Sequence, residues 1–145
     1  MKNEKIKTEE HEIQKEIYFN DKDWFLQNFV IEANTSTPAI QITLNLKGII
    51  ISGDLIGGPE YFTLFAKRVK SIEGQEDKEK EIQDQYEKLG EIYKDEDKNQ
   101  NPSYIHLKDA QIFVPGQYPL PKNEGVLWRG KINSVDAFFI GRLNV

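Results

Sequence analysis

At 145 residues the chain is the length of one domain and can bury a core of useful size. It is 38% hydrophobic and 30% charged, with 19 Lys+Arg against 24 Asp+Glu and a formal net charge of −5, which points to folded parts joined to a strongly charged segment. No apolar run approaches the roughly 18–20 residues of a membrane helix, and the lack of cysteine excludes disulfides, thiolate metal sites and cysteine nucleophiles.

The opening residues, MKNEKIKTEE, hold no apolar stretch, so no secretory signal is expected. Residues 1–20 read as a flexible charged tail, with a frayed helix or an edge strand over 12–19 as the alternative. Asn20 or Asp21 then offers an N-cap for a helix over 21–34. Its Trp24, Phe25, Leu26, Phe29, Val30 and Ala33 make one broad apolar face. Trp24, Phe25 and Phe29 are expected in the core.

From Ala39 the period changes to two. Ile40, Ile42, Leu44 and Leu46 alternate with polar residues, which predicts a half-buried strand. Gly48 permits a bend, and a second strand follows over 49–56. An interior glycine weakens a strand, so Gly53 marks a bulge or tight curvature. Gly57-Gly58-Pro59 is a turn, and Pro59 suits the first turn of a helix over 60–72.

Residues 73–98 carry 11 acids and 5 bases, a net of −6, so the whole negative excess of the chain sits there. Within this segment Ile82, Tyr86, Leu89 and Tyr93 keep a four-three-four spacing, a narrow seam for a solvated helix laid on the core. The alternative is a surface for a partner or a second copy. Asp95 to Pro102 is a linker by composition.

The last third is β again. Tyr104 to Val114 alternates in two phases, with Asp109 where the phase slips. Residues 115–125 form a loop rich in proline and glycine, and two more strands over 126–132 and 135–143 meet near Asn133-Ser134. The order is helix, two strands, helix with a charged insertion, and three strands.

This order resembles the Sm-like small barrel at several points. ITLNLKGIIISGDLIGG (42–58) resembles the first Sm motif, YIHLKDA (104–110) the third strand, and LWRGKINSVDAF (127–138) the second Sm motif with its Arg-Gly pair. The resemblance implies an α+β, SH3-like, five-stranded small barrel formed by residues 21–145. An N-terminal helix would cover one open end, and a charged helical insertion over about 60–100 would separate strands 2 and 3. A closer resemblance, running from about 23 to 143, is to gas vesicle accessory proteins of the GvpU type. It rests on DWFLQNFVIEAN, ITLNLKGIIISGDLIGGPEYF, YIHLKDAQIFVPG and LWRGKINSVDAFFIGRL. It implies a non-enzymatic, cytoplasmic bacterial protein located at gas vesicles, the hollow protein shells that give buoyancy. Its partners would be the vesicle shell, other vesicle proteins or further copies of itself.

Sm-like proteins commonly bind uridine-rich RNA. Arg129 and Gly130 match the second motif of that pocket, but the Asp-x-x-x-Asn element before the third strand is missing. Tyr61, Phe62 or Trp128 offers a stacking surface and Lys131 a further cation. Lys67, Arg68 and Lys70 add a short basic patch, but net negative charge opposes phosphate binding.

His106 is expected on the sheet face opposite Ile105 and Leu107, as a surface or sheet-face residue without a local ligand partner. His11 lies in the tail. Asp109 is expected to cap its own bend, with nothing in the sequence placing Asp54 near it. Ser52 and Ser71 lack the G-x-S-x-G context, and no phosphate loop follows Gly53, Gly57 or Gly58. No catalysis, cofactor or metal is expected. Adjacent strand residues point to opposite faces, so one of Phe138 and Phe139 must leave the interior. That exposed ring, Tyr118 and the outer strands over 126–143 are candidate contacts for a shell or a second subunit.

Overall fold

The computed structural model describes residues 2–7, 22–36, 40–69, 75–95 and 99–144. Expectations for 8–20, including His11 and the alternative edge strand, lie outside the described residues. Lys70, Ser71 and the last turn of the 60–72 helix lie outside them as well.

Helix α1 (Trp24–Thr35) starts one turn later than its predicted caps. Asp23 is the N-cap, and its Oδ1 accepts from the backbone N–H of Phe25 at 2.8 Å and of Leu26 at 3.3 Å. Strands β1 (Ile40–Leu46) and β2 (Ile49–Ile56) follow as expected, joined at Lys47-Gly48, both with positive φ. Next come α2 (Gly58–Arg68), α3 (Glu76–Leu89) and a 3-10 turn, Gly90–Lys94. Strands β3 (Tyr104–Phe113), β4 (Val126–Lys131) and β5 (Ala137–Ile140) complete the chain, with a 3-10 turn at Ile132–Ser134 between the last two.

The strands form one antiparallel sheet of order β4-β3-β2-β1-β5. The strands do not close the expected small barrel: among the described residues β4 and β5 are the two edges of an open sheet. The sheet is nevertheless strongly curled. If flat, four inter-strand steps of about 4.8 Å would hold the edges roughly 19 Å apart. Residues 132–136 must bridge them although three belong to a 3-10 turn rising only about 2 Å per residue. Backbone bonds from Ile132 N to Ser103 O (2.9 Å) and from Asp136 N to Asn45 O (2.8 Å) pin the crossing to β3 and β1. Closure fails because β5 has only four residues and, among the described residues, pairs with β1 alone.

The phase slip at Asp109 is a bulge felt by both neighbouring ladders. Asp109 and Ala110 stand opposite Gly53 on β2, and Lys108 and Asp109 opposite Leu127 on β4. Asp109 adopts φ +50°, and its Oδ1 accepts from Gly125 N at 2.9 Å, so it caps the entry to β4 rather than its own bend.

The concave face carries Ile42, Leu44, Ile51, Leu55, Ile105 and Leu107, all buried. Helix α1 closes one end with Leu26, Val30 and Ala33, one stripe at four- and three-residue spacing. Trp24 and Phe25 are corrected: the stripe that docks turns them outward, and they are 36% and 49% exposed, while Phe29 is partly buried. Phe25 still meets Phe138 at 5.7 Å between ring centres. Leu107 has no exposed surface on a central strand. Leu107→Ala is expected to cost roughly 2–5 kcal/mol in urea denaturation.

Candidate functional site

The convex face of the sheet holds three buried polar groups. Thr43, Ser52 and His106 are at most 1% exposed. His106 is on the predicted sheet face, but it is buried there rather than at the surface because α2 lies over it. The Tyr61 ring stands 4.6 Å from the His106 ring, Tyr93 5.5 Å and Phe62 6.2 Å. Lys108 Nζ binds Glu60 Oε1 at 2.7 Å and fixes the first turn of α2 to β3.

Arg129 is the hub of this node. Its Nη1 donates to Tyr93 Oη at 2.8 Å and lies 2.6 Å from His106 Nε2. A guanidinium only donates, so Nε2 accepts and the imidazole proton sits on Nδ1. Among the described residues that buried Nδ1 has no partner. Burial first, then the Arg129 charge, pushes His106 down to about 3, so the ring is neutral. The guanidinium carbon is 3.9 Å from the centre of the Tyr104 ring and 5.7 Å from that of Phe62.

Two glycines make the packing possible. A Cβ on Gly58 would stand 2.3 Å from the Tyr93 ring, and one on Gly130 would stand 2.2 Å from the Trp128 ring. The Arg129-Gly130 pair is therefore spent inside the fold, with Trp128 across the glycine and packed against the core. Tyr61 is 8% exposed, which leaves little ring for a base. Phe62 and Trp128 are half-buried, and Lys131 is exposed.

Arg129→Met is expected to cost about 2 kcal/mol, because it strands a buried His106 nitrogen and frees the Tyr93 hydroxyl. Hydrogen exchange should quicken first at Gly90–Lys94, and Arg129→Lys should rescue only in part, since an ammonium lacks the planar fork.

A second polar cluster lies where residues 141–144 cross the convex face. Thr43 Oγ1 donates to Gly141 O at 2.8 Å, so Ser52 donates to Thr43 at 2.6 Å and itself accepts from Leu143 N at 3.2 Å. Arg142 Nη1 stands 3.4 Å from Asp54 Oδ1 and 3.5 Å from Asp109 Oδ2, and the guanidinium also donates to the Asp109 carbonyl. The two carboxylates that sequence left apart thus share one cation. Sequence reading missed Arg142 and Tyr104. The only signal for Arg142 was a lone basic residue near the end of the predicted 135–143 strand.

The remaining predicted contacts divide between packing and solvent. Phe138 packs against the core and Phe139 is 50% exposed, with Tyr118 at 71%. On α3, Tyr86 meets Phe65 at 5.1 Å, whereas Ile82 and Leu89 are exposed. Tyr93, at the end of the seam, belongs to the Arg129 node. Helix α3 buries no residue at all. Among the described residues no helix is long and apolar enough to cross a membrane.

Neither polar cluster pairs a nucleophile with a base; both lock the chain's own segments onto the sheet. Fold and site together define an α+β scaffold that displays a charged helix and apolar edge residues. The chain belongs to the GvpU-like family: residues 23–143 match the family described as gas vesicle protein GvpU-like. No curated protein and no solved structure matches it.

Proposed function

We propose that the chain acts at gas vesicles as a non-enzymatic organiser, gathering them into clusters through self-association and contacts with vesicle proteins. The observation that carries this reading is α3. Fourteen residues of helix are held on the body without one buried side chain, and six of them are acidic. A helix that adds so little to the core is free to serve as a contact surface. The open sheet edges at β4 and β5, exposed Phe139 and the Tyr118 loop supply further attachment points. The strand order supports an Sm-like frame left open between its fourth and fifth strands. Such a protein would work in the bacterial cytoplasm, where ionic contacts between copies weaken beyond a screening length of about 8 Å.

The RNA-binding alternative is disfavoured by the internal use of Arg129 and Tyr61. The test is co-flotation of purified protein with intact vesicles, with a labelled uridine-rich RNA in parallel. Flotation with vesicles and no RNA retention is the expected result. Retained RNA without vesicle binding would overturn the function and leave the fold untouched.

A further inference from the structure

Two clefts on the body of the protein meet at Lys122 and Asn123. One, of about 540 Å³, has Phe113, Tyr118 and Pro119 as its apolar part, and Lys122 and Arg142 as its cations. Among the described residues no carboxylate lines it. The other, of about 600 Å³, adds Arg68 from the end of α2 and holds one acid, Glu124. Lys122 and Asn123 line both. Arg142 is already engaged by Asp54 and Asp109, so it stiffens the wall, and Lys122 and Arg68 supply the attraction. Both of these side chains are exposed, and neither forms an ion pair among the described residues.

The complementary surface is on the same chain. Helix α3 has six acids against three lysines, a net of −3, and presents Ile82 and Leu89 at 37% and 45% exposure. Glu81 and Asp84 are exposed neighbours near its middle. Acidic side chains beside two aliphatic ones match a cleft that offers cations beside aromatic rings and proline.

We propose that the paired clefts that share Lys122 and Asn123 receive helix α3 of a second copy of this chain. The inference rests on the self-association reading above and names its two surfaces. Donor and receptor are different patches, so the contact is head-to-tail. Where the rotation relating successive copies does not close a ring, each docked copy leaves its own cleft or its own helix open and growth continues. That open-ended geometry is what a clustering agent needs.

The test is a charge swap in the full-length chain, read by sedimentation velocity at low salt. One variant carries Arg68→Glu with Lys122→Glu, the other Glu81→Lys with Asp84→Lys. All four positions are exposed, and circular dichroism on each variant checks that folding is retained. Each variant alone should need at least a tenfold higher concentration to associate. An equimolar mixture should return to wild-type behaviour, because reversed helix then meets reversed cleft. Variants that associate like the wild type, or a folded mixture that stays dispersed, would overturn the docking while leaving self-association in place. A wild-type chain that remains monomeric would overturn both.

Discussion

Gly57→Ala is expected to destabilise the protein by about 3 kcal/mol, at the upper end of over-packing costs. The position needs no glycine for its own backbone, since φ is −81° and ψ 167°. What it lacks is room. A Cβ there would lie 2.2 Å from the Ala33 carbonyl oxygen and 2.8 Å from the Asn34 Cα. Both are backbone atoms of α1, so no side chain can move aside. The same junction is tied by Asn34 Oδ1, which accepts from Gly58 N at 2.8 Å. Separating α1 from α2 would lose that bond and loosen the cap on the core. Gly48→Ala is the control: its φ of +88° makes alanine strained, yet nothing lies within 4 Å. It should cost only about 1 kcal/mol. Equal losses in urea denaturation would show that steric contact at the helix junction is not what Gly57 serves.

Acid should weaken the fold through His106. Its folded value of about 3 lies below the ordinary 6.5, so between those limits the unfolded chain binds the extra proton. Stability conferred by the neutral ring is fully present above pH 6.5 and is lost as pH falls toward 3. The slope should reach at most about 1.4 kcal/mol per pH unit. Protonation would set an imidazolium 2.6 Å from the Arg129 guanidinium inside a buried node. His106→Gln should be less stable than wild type at pH 7 but change less between pH 6 and 4. Parallel pH profiles for the two proteins would rule His106 out as the acid-sensitive group.

Period-two alternation marked β1 and β2 because it records which side of a strand meets the core, and that is a local property. Asp109 was legible for the same reason: an extra residue shifts the phase of everything after it. Its carboxylate partner, the Gly125 amide, was not legible, because that contact depends on where β4 enters. Burial of His106 was hidden for a similar reason. Alternation placed it on the convex face, but the cover comes from Tyr61 on α2, about 45 residues earlier in the chain. Trp24 and Phe25 show the limit of helical periodicity. A face that broad admits several docking stripes, and contact with the sheet selected Leu26, Val30 and Ala33. Closure of a small barrel depends on pairing between β4 and β5, which no pattern within either strand reveals.

The proposed function has this chain draw gas vesicles together by associating with itself. Purified protein titrated into dispersed vesicles, with particle size followed by light scattering at low and high salt, tests it most directly. The predicted result is growth of vesicle clusters above a threshold protein concentration, reversed when salt screens the α3 contacts. Vesicles that bind the protein yet remain dispersed at every concentration would contradict it.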